Sequence, residues 1–353
     1  MKKDLVRYKK QVYPVSDKFT AYLKKYGRGA KLSIKYQDLL RFDDGLAIYD
    51  QKGNNTLWLN TFYSPQDRAE IDQELKRLYS MMYVDGGDEI LPYLNVDSID
   101  FCTFGNTKPF RVKVRNILND NYTLMYVKNA DASRAYGLEL EHLLSPNQIL
   151  FLLNEDTLVE EHISGIPGDE FINSYLPTAT NSEKSAIAKE FVKFNERCFL
   201  RLLGDMRAYN FVMVLLHDFD RIQFRFRAID FDQQSYEGDL DTYSPKLFKE
   251  NETYQQLVDE FLSQGSIEQY KREERALIAR RASSEWTRLK ELLECMKETP
   301  LSEKKNVDRL KKSLYEYAKD INFKRSDSMG ELVEAAIDFV VRNYKNINPY
   351  ILR

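Results

Sequence analysis

Gly204-Asp205-Met206-Arg207-Ala208-Tyr209-Asn210 is followed, after an apolar stretch, by Ile229-Asp230-Phe231-Asp232. The reading of the whole chain turns on this segment. Phosphoryl transfer asks little covalent chemistry of a protein. It needs a carboxylate to orient the acceptor hydroxyl and oxygen ligands to hold Mg2+ against the phosphates. Asp205 suits the first task, and Asn210 and Asp230 suit the second. Asp-x-x-x-x-Asn by itself is a weak signal, because both side chains serve equally well to satisfy backbone groups in a loop. Its surroundings carry the weight.

Upstream, Thr180-x-x-Glu183 is a capping box. It opens a long helix whose apolar positions, Ile187, Phe191, Phe194, Cys198 and Leu202, recur every three or four residues. That helix delivers the chain to Gly204-Asp205. Downstream, Val212–Leu216 and Ile222–Ile229 read as a hairpin around residues 217–220, with Ile222, Phe224, Phe226 and Ala228 alternating with polar residues. Earlier still, Phe110, Val112 and Val114 alternate with Arg111, Lys113 and Arg115. A turn at 119–121 leads to a return strand, Tyr122–Lys128. The spacing then predicts a helix over Ala132–Leu144, ended by Ser145-Pro146, and a strand over Asp156–Ile163. Beyond about residue 245 the chain reads as charged helix.

This order of features resembles the kinase-like superfamily, especially the aminoglycoside phosphotransferase and choline kinase branch, which runs His-Gly-Asp-x-x-x-x-Asn … Ile-Asp. The resemblance covers roughly residues 97–245. It implies an α+β, two-lobed protein-kinase-like fold, with a small antiparallel-sheet N-lobe over 96–164 and a mainly helical C-lobe with C-terminal helices over 165–353. An N-terminal α/β extension over 1–95, of unassigned role, precedes them. The resemblance also implies ATP and Mg2+. Lys128 would grip the α- and β-phosphates. Glu139 would orient that lysine, since Leu140 and Leu143 follow it as in the family's helix; Glu141 is the alternative. Backbone groups near Glu161 and Ile163 would pair with adenine. Asn210 and Asp230 would bind the metal, and Asp205 would take the acceptor's proton. Arg207 stands where eukaryotic protein kinases place a lysine against the transferred phosphate.

Taken singly, Lys128 reads as a solvent-facing strand lysine, Glu139 as a surface helical glutamate, and Arg207 as equally suited to pairing with a nearby carboxylate. Their ordered occurrence favours the phosphotransferase expectation. The chain also departs from the family. Leu203 replaces the histidine before Gly-Asp, and only Gly105 is available where a glycine-rich loop would cover phosphates. Asp232 replaces the glycine of Asp-Phe-Gly, no Ala-Pro-Glu follows, and Gly238-Asp239 comes about one residue later than in the small-molecule enzymes. Ile229-Asp230-Phe231-Asp232, Gly238-Asp239 and the missing Ala-Pro-Glu favour a small hydroxyl-bearing acceptor, while Leu203 and the missing glycine-rich loop motivate the pseudokinase alternative. A protein kinase, or a pseudokinase retaining the fold without turnover, is the alternative.

Composition narrows the surroundings. At 353 residues, 43% hydrophobic and 30% charged, the chain has ordinary globular proportions. No apolar run approaches the ~18 residues of a membrane span, and the first ten residues lack a secretory signal's apolar core. No membrane partner and a cytoplasmic location are therefore expected. Cys102, Cys198 and Cys295 are far apart and odd in number, which argues for reduced thiols. His142, His162 and His217 never stand at ligand spacing. Charge is uneven: residues 1–35 hold eleven Lys or Arg against two Asp, a balance of +9 that leaves −12 for the remainder of a chain of net −3. This segment suits an anionic partner such as nucleic acid or an acidic protein face, but charge runs more often lie on the protein's own acidic body or in solvent, and that reading is favoured. Ser64-Pro65 starts a further helix, preceded by two short strands at Leu46–Tyr49 and Thr56–Phe62.

Overall fold

The computed structural model of the protein describes residues 10–347 apart from Gln51, Asp85, Gly105, Asn106 and Asp220. Gly105, the one glycine available for covering phosphates, thus lies outside the described residues. Contacts divide the α+β chain into two compact units. One is Pro14–Asp131 with Ile149–His162. The other is Ala132–Gln148 and the chain from Ile163 on, together with the segment ending at Tyr13.

The first unit begins with helices α1 (Asp17–Lys25) and α2 (Tyr36–Leu39), the hairpin β1 (Asp44–Tyr49) and β2 (Asn55–Phe62), and helix α3 (Pro65–Tyr83). Strands β3 (Leu94–Cys102), β4 (Phe110–Asn116), β5 (Tyr122–Asn129), β6 (Phe151–Asn154) and β7 (Thr157–Glu161) follow. Among the described residues they form a seven-stranded antiparallel sheet in the order β1-β2-β3-β4-β5-β7-β6. Side chains alternate across a strand, so β4 buries Phe110, Val112 and Val114 while its arginines and lysine take the other face. A register shift between Val96 and Ser98 lets Val96 and Ile99, an odd number of residues apart, both enter the core. Helix α3 closes this face. Ser64 Oγ accepts from the Asp67 amide at its start, and Ile71, Leu75 and Leu78 turn one stripe into the cluster with Ile99, Val112 and Met125. Each such buried side chain contributes about 1.5–3 kcal/mol.

The sequence reading drew a boundary at residue 95, but hydrogen bonding runs across it. Trp58, Leu59 and Asn60 of β2 pair with Cys102, Phe101 and Asp100 of β3. An isolated two-stranded hairpin is marginal in water, so β1–β2 gains its stability as the edge of the larger sheet.

The second unit contains α4 (Ala132–Leu144), placed in the expected N-lobe segment 96–164 by sequence but grouped by its contacts with the helical part. Nearly every position of α4 is buried, Arg134, Glu139 and Glu141 included. The unit continues with β8 (Ile166–Pro167), α5 (Gly168–Ser174), α6 (Asn181–Arg201), β9 (Phe211–Asp218) and β10 (Arg221–Ala228). Helices α7 (Glu252–Phe261), α8 (Gln264–Ser284), α9 (Trp286–Glu298), α10 (Lys304–Ala318), α11 (Ile321–Arg325) and α12 (Met329–Ile347) complete it. The β10-β9-β8 sheet rests on α6 through an aromatic core. Phe194 stacks on Phe226 with centroids 5.5 Å apart, and Phe226 also meets Phe211 at 5.3 Å and Tyr254 at 5.2 Å. Buried ion pairs tie the helices together: Arg201 of α6 with Glu141 of α4, and Arg197 of α6 with Glu274 of α8 at 3.1 Å.

Among the described residues no helix is long and apolar enough to cross a membrane. All three cysteines are free, and burial pushes the Cys198 thiol up to about 12. Several cations of the basic N-terminal segment engage the protein itself. Lys10 lies over the rings of Tyr13 and Tyr236, Arg28 over Phe151, and Lys35 pairs with Glu155 at 2.6 Å. Residues 1–9 of that segment lie outside the described residues.

Candidate functional site

Helix α6 ends as its capping box begins it, with explicit geometry. Thr180 Oγ1 accepts from the Glu183 amide, and Glu183 accepts from the Thr180 amide at 2.7 Å. At the other end Leu202 adopts a left-handed cap with φ 53°. The chain then forms a bridge with the segment beyond β10. The Ser235 amide donates to Leu202 O at 2.8 Å, the Gly204 amide to Gln233 O at 3.2 Å, and the Gln234 side chain to Arg201 O at 2.5 Å. Asp205 is also left-handed, φ 57°, as is Ser235 at 52°. Aspartate tolerates that region better than most residues, and such backbone costs about 1–3 kcal/mol wherever surrounding bonds enforce it.

The loop then folds back on itself. The Arg207 amide donates to Asp205 O at 2.8 Å, the Asn210 amide to Arg207 O at 2.8 Å, and Asn210 Nδ2 to Asp205 O at 2.7 Å. With Nδ2 so used, Oδ1 is the oxygen Asn210 offers as a ligand. The hairpin closes the arrangement. Its register pairs Ala228 with Phe211, and the Ile229 amide donates to Asn210 O at 3.0 Å. Asp230 therefore follows directly on the residue bonded to Asn210, although twenty residues separate the two in sequence.

Electrostatics set the two aspartates apart. Burial pushes the Asp205 carboxyl up to about 6, opposed by Arg207 and assisted by Asp230 and Glu250. Arg207 Nε donates to Asp205 Oδ1 at 2.8 Å and its Nη1 to Glu250 at 2.9 Å, with the guanidinium over the Phe248 ring. Asp230 Oδ1 accepts from Arg134 Nη1 at 2.8 Å and from the Asp232 amide at 3.0 Å. Sequence reasoning missed Arg134 and Glu250; both come from distant segments with no local signature.

The expected acidic partners on α4 are engaged within this unit. Glu139, fully buried, accepts from Arg288 Nε of α9 at 2.8 Å. Glu141 accepts from Arg201, from Ser145 and from Asn147 at 3.0 Å. Burial opposes its ionisation, yet Arg201, Ser145 and Asn147 hold its carboxyl below the usual range. In the sheet unit, Lys128 is a buried strand lysine and not a solvent-facing one, donating to Glu160 of β7 at 2.9 Å. Glu161 ends β7, where its amide donates to Leu150 O at 3.0 Å; Ile163 opens the helical unit.

No protein-family model matches the chain, and no curated protein matches it.

The donor chemistry fits Mg2+. Among the described residues no three His, Cys, Asp or Glu gather as a self-sufficient metal cluster. Mg2+ seldom asks for one, since one or two protein carboxylates usually hold it with waters and substrate phosphates. Asn210 and Asp230 are hard oxygen donors brought beside each other by the hairpin register.

Proposed function

We propose that the chain is an ATP-dependent phosphotransferase acting on a hydroxyl group, with the two-lobed kinase-like architecture of the aminoglycoside phosphotransferase and choline kinase branch. The observation that carries this reading is the closure of the Asp205–Asn210 loop onto the base of the β9–β10 hairpin, which makes neighbours of Asn210 and Asp230. Asp205 is largely buried, with its carboxyl raised to about 6, so it is ionised at neutral pH yet close enough to serve as a proton acceptor. It would orient the acceptor hydroxyl and take its proton. Asn210 and Asp230 would hold Mg2+, which when bound neutralises charge on the phosphates. Lys128, paired with Glu160, would contact the α- and β-phosphates, and backbone near Glu161 and Ile163 would meet the base. Arg207 steadies Asp205 and supplies positive charge beside it. A small molecule is the proposed acceptor, in a reducing cytoplasm suited to the free thiols.

A nucleotide-binding module without turnover is the second reading, favoured by the ion pair between Asp205 and Arg207. Labelled ATP incubated with hydroxylated metabolites separates the two. The expected result is transfer by the wild-type chain, lost in Asp205→Ala and in Asp230→Asn while both variants retain a cooperative melt. Undiminished ATP consumption by both variants refutes the assignment; Mg·ATP binding without any consumption favours the module.

A further inference from the structure

We infer that Arg134 is a positioning residue for the metal-binding aspartate, and that α4 is the wall on which Asp230 is mounted. The inference rests on the phosphotransferase reading and deepens it. Arg134 is 2% exposed. A guanidinium so deeply buried needs close anionic partners to offset its lost hydration. It finds them in one short stretch: Nη1 donates to Asp230 Oδ1 and to Asp232 Oδ1, both at 2.8 Å, and Nη2 donates to Ile229 O at 3.2 Å. One planar fork thus holds both side chains and the backbone of residues 229–232. A lysine, a single point charge on a flexible stem, has no such geometry.

A second contact on the same helix face fixes the distance. One turn on, a Cβ at Gly137 would lie 3.0 Å from Phe231 Cβ and 3.2 Å from Gln234 Cβ. Residues three apart share a helix face, so Arg134 and Gly137 together press α4 directly against the aspartate segment.

The two carboxylates divide the work. The Asp232 side chain is 13% exposed and that of Asp230 36%. Asp232 is the more deeply buried of the two carboxylates and Asp230 the more open to a ligand. Asp232 is accordingly the anchor and Asp230 the ligand. Arg134 and the Asp232 amide together hold Oδ1 of Asp230 in place. Partners that orient a metal ligand in this way typically change metal affinity by about 10–100-fold when removed.

The test uses the full chain with ATP and Mn2+ as the probe, free Mn2+ being read by electron paramagnetic resonance. Arg134→Lys retains the charge and loses the fork. It is expected to weaken Mn2+ binding about tenfold or more while metal-free ATP binding stays unchanged. Gly137→Ala is expected to weaken Mn2+ binding in the same direction by a smaller factor, and it carries the test if the Arg134 variant fails to fold. Unchanged Mn2+ affinity in both folded variants overturns the positioning role alone. Tighter Mn2+ binding in Arg134→Lys also overturns it, because Arg134 would then be competing with the cation. A wild-type chain that binds no Mn2+ with ATP overturns both this inference and the phosphotransferase reading.

Discussion

Replacing Asp205 by asparagine should stabilise the folded protein at neutral pH and hardly at all in acid. Burial raises the Asp205 carboxyl from its ordinary 3.8 to about 6, against the pull of Arg207. Above pH 6 both folded and unfolded chains carry the charge, and the folded state bears the full cost of keeping it out of water. A gap of about two pH units at about 1.36 kcal/mol each puts that cost near 3 kcal/mol. As pH falls through 6 towards 3.8 the folded state takes up its proton first, so stability rises and the cost disappears. Asparagine cannot ionise, has nearly the same shape and tolerates the left-handed backbone at this position. It also loses the ionic contact with Arg207, a loss already counted in the net shift to about 6. The clean quantity is therefore the change with pH in the difference between variant and wild type. Between about pH 4 and pH 7.5 it should shift by about 2.5 kcal/mol in favour of the variant. Urea denaturation of both proteins at half-unit intervals measures it. A difference that stays flat across this range would mean that Asp205 titrates at its ordinary value, and the argument from burial would fail. On the phosphotransferase reading, the same titration would set an acid limb, with transfer declining as pH drops through about 6.

Other perturbations address the frame around the loop. Glu141→Gln leaves the Arg201 guanidinium buried without its anion and should cost about 3–5 kcal/mol of stability; a loss below about 1 kcal/mol in chemical denaturation would show that the pair is dispensable. Gly168→Ala drives a Cβ to within 2.3 Å of Phe211 and 2.5 Å of Ala208 O, in the Asp205–Asn210 loop and just after it. It should lower stability by about 1–3 kcal/mol, and a variant with wild-type melting temperature would contradict the close approach.

Much of the candidate site was legible because it is local. The Thr180–Glu183 box, the apolar spacing of α6 and the alternation in β10 are patterns within a few residues, and Ala132–Leu144 emerged with the bounds its spacing predicts. Hairpin register is likewise a local property, so the meeting of Asn210 and Asp230 follows once the turn is placed. The charge partners were not legible. Arg134 lies 96 residues from Asp230, Arg288 lies 149 from Glu139, and Glu250 lies 43 from Arg207. Tertiary packing alone chooses among the chain's many arginines and glutamates, and no periodicity reports that choice. The boundary at residue 95 differed from the compact units for a related reason. The resemblance begins there, but strand pairing between β2 and β3 is a long-range contact that local sequence does not record.

The β9–β10 hairpin also works as a spacer whose far end is mechanically idle. The pairing that matters lies at its base, where Ile229 meets Asn210, while the opposite end carries a fully exposed Phe219. Lengthening both arms by matched pairs of residues, or exchanging the tip for another tight turn, preserves the base. Inserting one residue into a single arm flips every later side chain to the other face and parts Asp230 from Asn210. Sequence drift and engineered insertions, such as a fluorophore or an affinity peptide, should therefore be tolerated at the tip, whereas an unmatched insertion in either arm should not. That makes the tip a handle by which the site can be reported on without being touched.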